Sequence, residues 1–102
     1  MKKIVVLISG SGSNLEAIIE SCVAKNINGK VIQVISNNPD AYGLTRASKF
    51  NIASKIIDHK KFSSRIDFEN SLEEFLDTLS PDLIVLAGFM RILGTKITSK
   101  FS

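Results

Sequence analysis

The sequence predicts an α/β fold: a Rossmann-like open parallel sheet of about four strands with helices between them. Three observations carry that expectation. Short apolar runs recur at residues 3–9, 30–36, 54–57 and 82–87, with helical periodicity in between, which is the alternation of right-handed strand–helix–strand units. The first and last runs are nearly unbroken in β-branched residues and leucine, as strands covered on both faces are. A glycine-rich turn, Ser9-Gly10-Ser11-Gly12-Ser13-Asn14, joins the first run to the first helical stripe.

Taken in order, the strand at 3–9 leads through that turn into a helix beginning near Ser13. The Ser13 hydroxyl is expected to cap the helix, with Glu16 three residues on as the capping-box partner. Leu15, Ile18, Ile19 and Cys22 form its inward stripe, and Asn26, Asn28 and Gly29 close the segment. The second strand, 30–36, ends in the turn Asn37-Asn38-Pro39-Asp40; a short helix over 42–50 then offers Leu44 and Ala47 inward. The run at 54–57 reads as an edge strand. The spacing predicts a third helix over Arg65–Leu79, with Phe68, Leu72, Phe75, Leu76 and Leu79 on one stripe and Glu69, Glu73 and Asp77 opposite, stopped by Ser80-Pro81. After the strand at 82–87 the chain turns at Gly88 into Phe89-Met90-Arg91-Ile92-Leu93-Gly94 and a last helical stretch over 95–101.

At 102 residues, with no repeat or low-complexity tract, the chain is a single domain or part of one. An apolar fraction of 44% against 23% charged residues excludes a disordered or fibrous chain. The net charge of +3 comes from scattered lysines that do not alternate with aromatics, so no nucleic-acid partner is expected; the field serves instead to attract anionic small molecules. The one cysteine, Cys22, cannot form an internal disulfide, and the N-terminal apolar run is too short for a signal peptide or a membrane span. The expectation is a cytoplasmic protein, not bound to a membrane, with Cys22 a buried and inert thiol.

In open parallel sheets, ligands gather outside the carboxyl ends of the strands where strand order reverses. That rim receives three loops: 9–14, 36–39 and 88–93. The first is built for an anion, because small residues let backbone N–H groups converge at a helix N-terminus that carries partial positive charge. A larger residue at Gly12 should crowd that anion. A dinucleotide is disfavoured, since GxGxxG needs glycine where Leu15 stands and the second strand ends in Ser36-Asn37-Asn38 without a ribose-gripping carboxylate. No lysine follows either glycine as a Walker loop would require, so the expected ligand is a small molecule with one phosphate. In the last loop, Met90, Ile92 and Leu93 around Arg91 suit either a flat heteroaromatic ring or an ordinary helix start packed under the sheet. His59, in Asp58-His59-Lys60-Lys61, reads as a solvated loop residue, and neither a catalytic group nor a metal site is expected.

Together, the Ser9-Gly10-Ser11-Gly12-Ser13-Asn14-Leu15 loop and Leu86-Ala87-Gly88-Phe89-Met90-Arg91-Ile92-Leu93 resemble the folate-dependent glycinamide ribonucleotide formyltransferases of purine synthesis. The resemblance spans the chain and includes Ser36-Asn37, Gly43-Leu44 and Ser64-Arg65. It implies that Gly12, Ser13 and Asn14 hold the ribose phosphate of glycinamide ribonucleotide. It implies also that Met90, Arg91, Ile92 and Leu93 line the pterin pocket of 10-formyltetrahydrofolate, and that Arg65 lies near the glutamate tail. The family's catalytic asparagine, histidine and aspartate fall beyond the last residue here. The expectation is therefore a formyltransferase-like domain, incomplete at its C-terminal end, that binds both substrates in part and transfers no formyl group alone. It also implies a fourth strand left as an open apolar edge prone to self-association. The alternative is a noncatalytic phosphate- or nucleotide-binding module, or an inactive truncated product.

Overall fold

The computed structural model describes residues 2–87. Four parallel strands, β1 (Lys2–Ile8), β2 (Gly29–Ser36), β3 (Ser54–Ile56) and β4 (Leu83–Leu86), form one sheet in the order β3-β2-β1-β4. Between them lie α1 (Ser13–Val23), α2 (Tyr42–Lys49) and α3 (Arg65–Leu79), with a short 3-10 turn at His59–Lys61. The four-stranded parallel α/β sheet is as expected, and so are the limits of α3. Met90, Arg91, Ile92 and Leu93, the turn at Gly88 and the stretch over 95–101 lie outside the described residues.

β1 is the middle of the molecule because its side chains are apolar on both sides. Ile4, Val6 and Ile8 pack with Leu15 and Ile19 of α1 and Ala47 of α2, whereas Val5 and Leu7 pack with Phe68, Leu72 and Leu76 of α3. Alternation along a strand thus feeds two helical layers. Each of Val5, Val6, Leu7 and Ile8 is fully buried, a contribution of about 1.5–3 kcal/mol per side chain. Facing Ile4–Val5, β2 carries one extra residue: Ile4 pairs with Val31 but Val5 with Gln33, so Ile32 is bulged.

Chain direction sets the site. From β1 the chain moves by α1 and α2 to β2 and β3 on one side, then crosses by α3 to β4 on the other, so the order reverses between β1 and β4. β4 is fastened at its start, where Lys3 N–H donates to Asp82 Oδ2 at 2.7 Å and Asp82 N–H to the Lys3 carbonyl at 2.8 Å. Among the described residues β4 is an edge strand, with Leu83 and Leu86 exposed. β3, exposed throughout, is the opposite edge, as expected.

Two expectations need correction. Cys22 is half-buried and lines an apolar cavity of about 290 Å³ with Ile19, Val23, Phe50 and Ile52 at the amino end of the sheet, so the thiol is not sealed in the core. On α3, Asp77 is exposed but Glu69 and Glu73 are half-buried, so the acidic stripe is not the fully solvated face that its periodicity implies. No described helix is long and apolar enough to cross a membrane.

Candidate functional site

The loop after β1 is held by its carbonyl groups. Gly43 N–H donates to the Gly10 carbonyl at 3.0 Å, Arg46 Nε to the Ser11 carbonyl at 2.6 Å, and Leu15 N–H to the Gly12 carbonyl at 2.9 Å. Arg46 also pairs with Glu16, and Lys49 Nζ lies 3.7 Å from the same carboxylate. Three successive acceptors are thereby tied to α1 and α2. Leu15 N–H is engaged in this way, so the first-turn N–H groups that an anion would meet are those preceding it.

The expected Ser13 capping box is absent. Gly12, and not Ser13, is the N-cap, in the left-handed region at φ 70° and ψ 27°, and it makes no side-chain cap hydrogen bond. Glu16 reaches Arg46 of α2 instead of returning to the helix start. The reason lies in close packing: a Cβ on Gly12 would stand 2.8 Å from Gly43 Cα, and one on Gly43 would stand 2.4 Å from Ile8 Cδ1. Glycine at both positions lets α2 press against the loop, and the left-handed turn then does the work of the cap. A larger residue at Gly12 therefore collides with Gly43 whether or not an anion is bound. At Gly10, in contrast, a Cβ meets nothing within 4 Å.

The second loop of the rim is polar and internally satisfied. Ser36 and Asn37 are buried; Ser36 Oγ donates to the Asn38 carbonyl, and Asn37 Oδ1 accepts from Ser9 Oγ at 2.6 Å. His59 is not a merely solvated residue: its Nδ1 lies 3.0 Å from the Asn37 carbonyl oxygen, and with Ser9, Asn38 and Lys60 it lines a cavity of about 280 Å³. Sequence reasoning missed this contact because its partners are 22 residues apart and carry no motif.

Of the expected site residues, Gly12, Ser13 and Asn14 sit at the start of α1, with Gly12 buried and Asn14 exposed. Arg65 is the first residue of α3 on the same rim, 60% exposed, its Nε 3.8 Å from Glu69 Oε1. The guanidinium end of this pair is open to solvent, whereas the Glu69 carboxylate is half-buried. The four pterin-pocket candidates, Met90 to Leu93, cannot be placed against these. Among the described residues no group of three or more His, Cys, Asp or Glu side chains is gathered as a metal site would be.

Known proteins share both this sequence and this geometry. A family model described as formyl transferase matches residues 2–102. The phosphoribosylglycinamide formyltransferase of Haemophilus influenzae is 46% identical over 102 residues, which is all of this chain and 48% of that protein. Among solved structures, the phosphoribosylglycinamide formyltransferase of Coxiella burnetii superposes with a TM-score of 0.91 at 50% identity, over 99% of this chain and 47% of that one. The Brucella melitensis enzyme of the same name gives a TM-score of 0.94 at 35% identity, over 99% and 53%. The chain spans about half the length of these relatives.

Proposed function

Since the chain belongs to the formyl transferase family, we propose that it carries the substrate-phosphate portion of a phosphoribosylglycinamide formyltransferase site. In this reading Gly12, Ser13 and Asn14 hold the phosphate of glycinamide ribonucleotide. Arg65 meets the glutamate carboxylates of 10-formyltetrahydrofolate, and Met90, Arg91, Ile92 and Leu93 line its pterin. The reaction passes a formyl group from the folate to the glycinamide amine in the cytoplasm, and no metal takes part. The contribution of the described residues is placement: a phosphate fixed at the start of α1 sets where the amine at the far end of the substrate can reach.

The observation that carries the reading is the N-terminus of α1, which has a left-handed glycine cap and neighbouring carbonyls already engaged. Names of relatives support the substrate; this geometry supports the phosphate. Titration calorimetry of the chain with glycinamide ribonucleotide and with its dephosphorylated nucleoside tests it. The phosphorylated compound should bind at least about tenfold more tightly, as expected of a charge-assisted anion site. Equal affinities, or no binding of either, would remove the phosphate role.

A further inference from the structure

At the carboxyl ends of the strands, Ser9, Asn37 and His59 form a connected polar chain. Ser9 Oγ donates to Asn37 Oδ1 at 2.6 Å between two buried residues, and Asn38 Nδ2 donates to the Ser9 carbonyl at 3.3 Å. His59 Nδ1 lies 3.0 Å from the Asn37 carbonyl oxygen and 3.3 Å from Asn37 Nδ2. One ring nitrogen cannot serve both, because the carbonyl needs a donor and the amide nitrogen needs an acceptor. The shorter contact selects a protonated Nδ1 donating to the carbonyl, which leaves Nε2 as the basic nitrogen of the neutral ring.

Asn37 stands one residue past the end of β2, where the ladder is running out: its own N–H reaches the Ile8 carbonyl at 3.4 Å. Its carbonyl lies instead within reach of a side chain from the turn that follows the neighbouring strand β3. The adjoining cavity of about 280 Å³ gives this peptide room to turn if that donor is lost. Turning it would pull Oδ1 away from Ser9, the residue that leads into the glycine loop. We propose that His59 is a positioning residue for the phosphate loop, acting through Asn37 and Ser9 and donating from Nδ1. The inference rests on the phosphate-site reading for its functional consequence, though not for its structural one.

The test uses two substitutions that remove the same ring. His59→Asn places an amide N–H where Nδ1–H was, whereas His59→Gln reaches only toward Nε2. In the full chain labelled with ¹⁵N, the wild-type ring should show a protonated Nδ1 and an unprotonated Nε2 when neutral. His59→Asn should leave the amide shifts of residues 10–14 nearly unchanged and hold the dissociation constants for inorganic phosphate and glycinamide ribonucleotide within about twofold. His59→Gln should move those amides and weaken both ligands about five- to tenfold, the scale of one lost hydrogen bond. A protonated Nε2 in the wild-type ring, or indistinguishable loop shifts in the two variants, would overturn the proposal. A wild-type chain that binds neither ligand refutes the phosphate reading alone, since the ring tautomer and loop shifts still decide the role of His59.

Discussion

Helices α1 and α3 begin at the same rim of the sheet, and they begin differently. At α3, Ser64 is an extended N-cap whose Oγ accepts from Asp67 N–H at 3.2 Å, while Ser63 Oγ donates to Asp67 Oδ2 at 3.1 Å. The start of that helix is satisfied by its own sequence. At α1 a left-handed glycine replaces the cap, and the groups that hold it come from α2: Gly43 N–H and the Arg46 guanidinium. Both helices engage the third N–H of the first turn, Asp67 N–H on the Ser64 hydroxyl and Leu15 N–H on the Gly12 carbonyl, but one start is fixed by a side-chain cap and the other by a clamp from a neighbouring helix. The clamped start is the one proposed above to hold a phosphate.

The comparison is broken most severely at Gly12. Gly12→Ala should cost about 3 kcal/mol, combining the left-handed penalty with the collision against Gly43 Cα, and a denaturant titration would show it as a lowered midpoint. An unchanged midpoint would mean that α2 does not press on the loop. Smaller is the expected effect of Ser64→Ala, about 1 kcal/mol from loss of a helix cap, with the affinity for glycinamide ribonucleotide unaltered. A parallel loss of affinity would show the two termini to be coupled and blur the contrast. The smallest change should come from Gly10→Ala, within about 0.5 kcal/mol of wild type in the same titration, because its Cβ meets nothing. Destabilisation there would place the strain of the loop on the wrong glycine.

Much of the fold was legible because apolar periodicity is a local signal: β1 with its two-sided burial, the stripe of α3 and the edge strand β3 are read from consecutive residues. The glycine turn into α1 was legible too, since glycines before a helix are a short-range pattern. What was misread depends on partners far along the chain. Glu16 looked like a capping-box acid, but Arg46 lies 30 residues away in sequence and takes its carboxylate. Gly12 also gives room to Gly43, which lies 31 residues on and which no local pattern pairs with it. Ser9, Asn37 and His59 carry no spacing that pairs them, because the sheet brings them together only after β2 and β3 have aligned beside β1.

The extra residue at Ile32 reaches further than the strand it interrupts. With an unbroken ladder Ser9 would stand beside Ser36; the slip moves Ser36 next to Ile8 and brings Asn37 alongside Ser9. A serine is thus exchanged for an asparagine beside Ser9 by a one-residue slip five positions upstream. Deleting Ile32 would remove the bulge and still leave Val5 opposite Gln33 and Asn37 alongside Ser9, so the neighbour of the loop is written in the register past the bulge and not in the bulged residue itself.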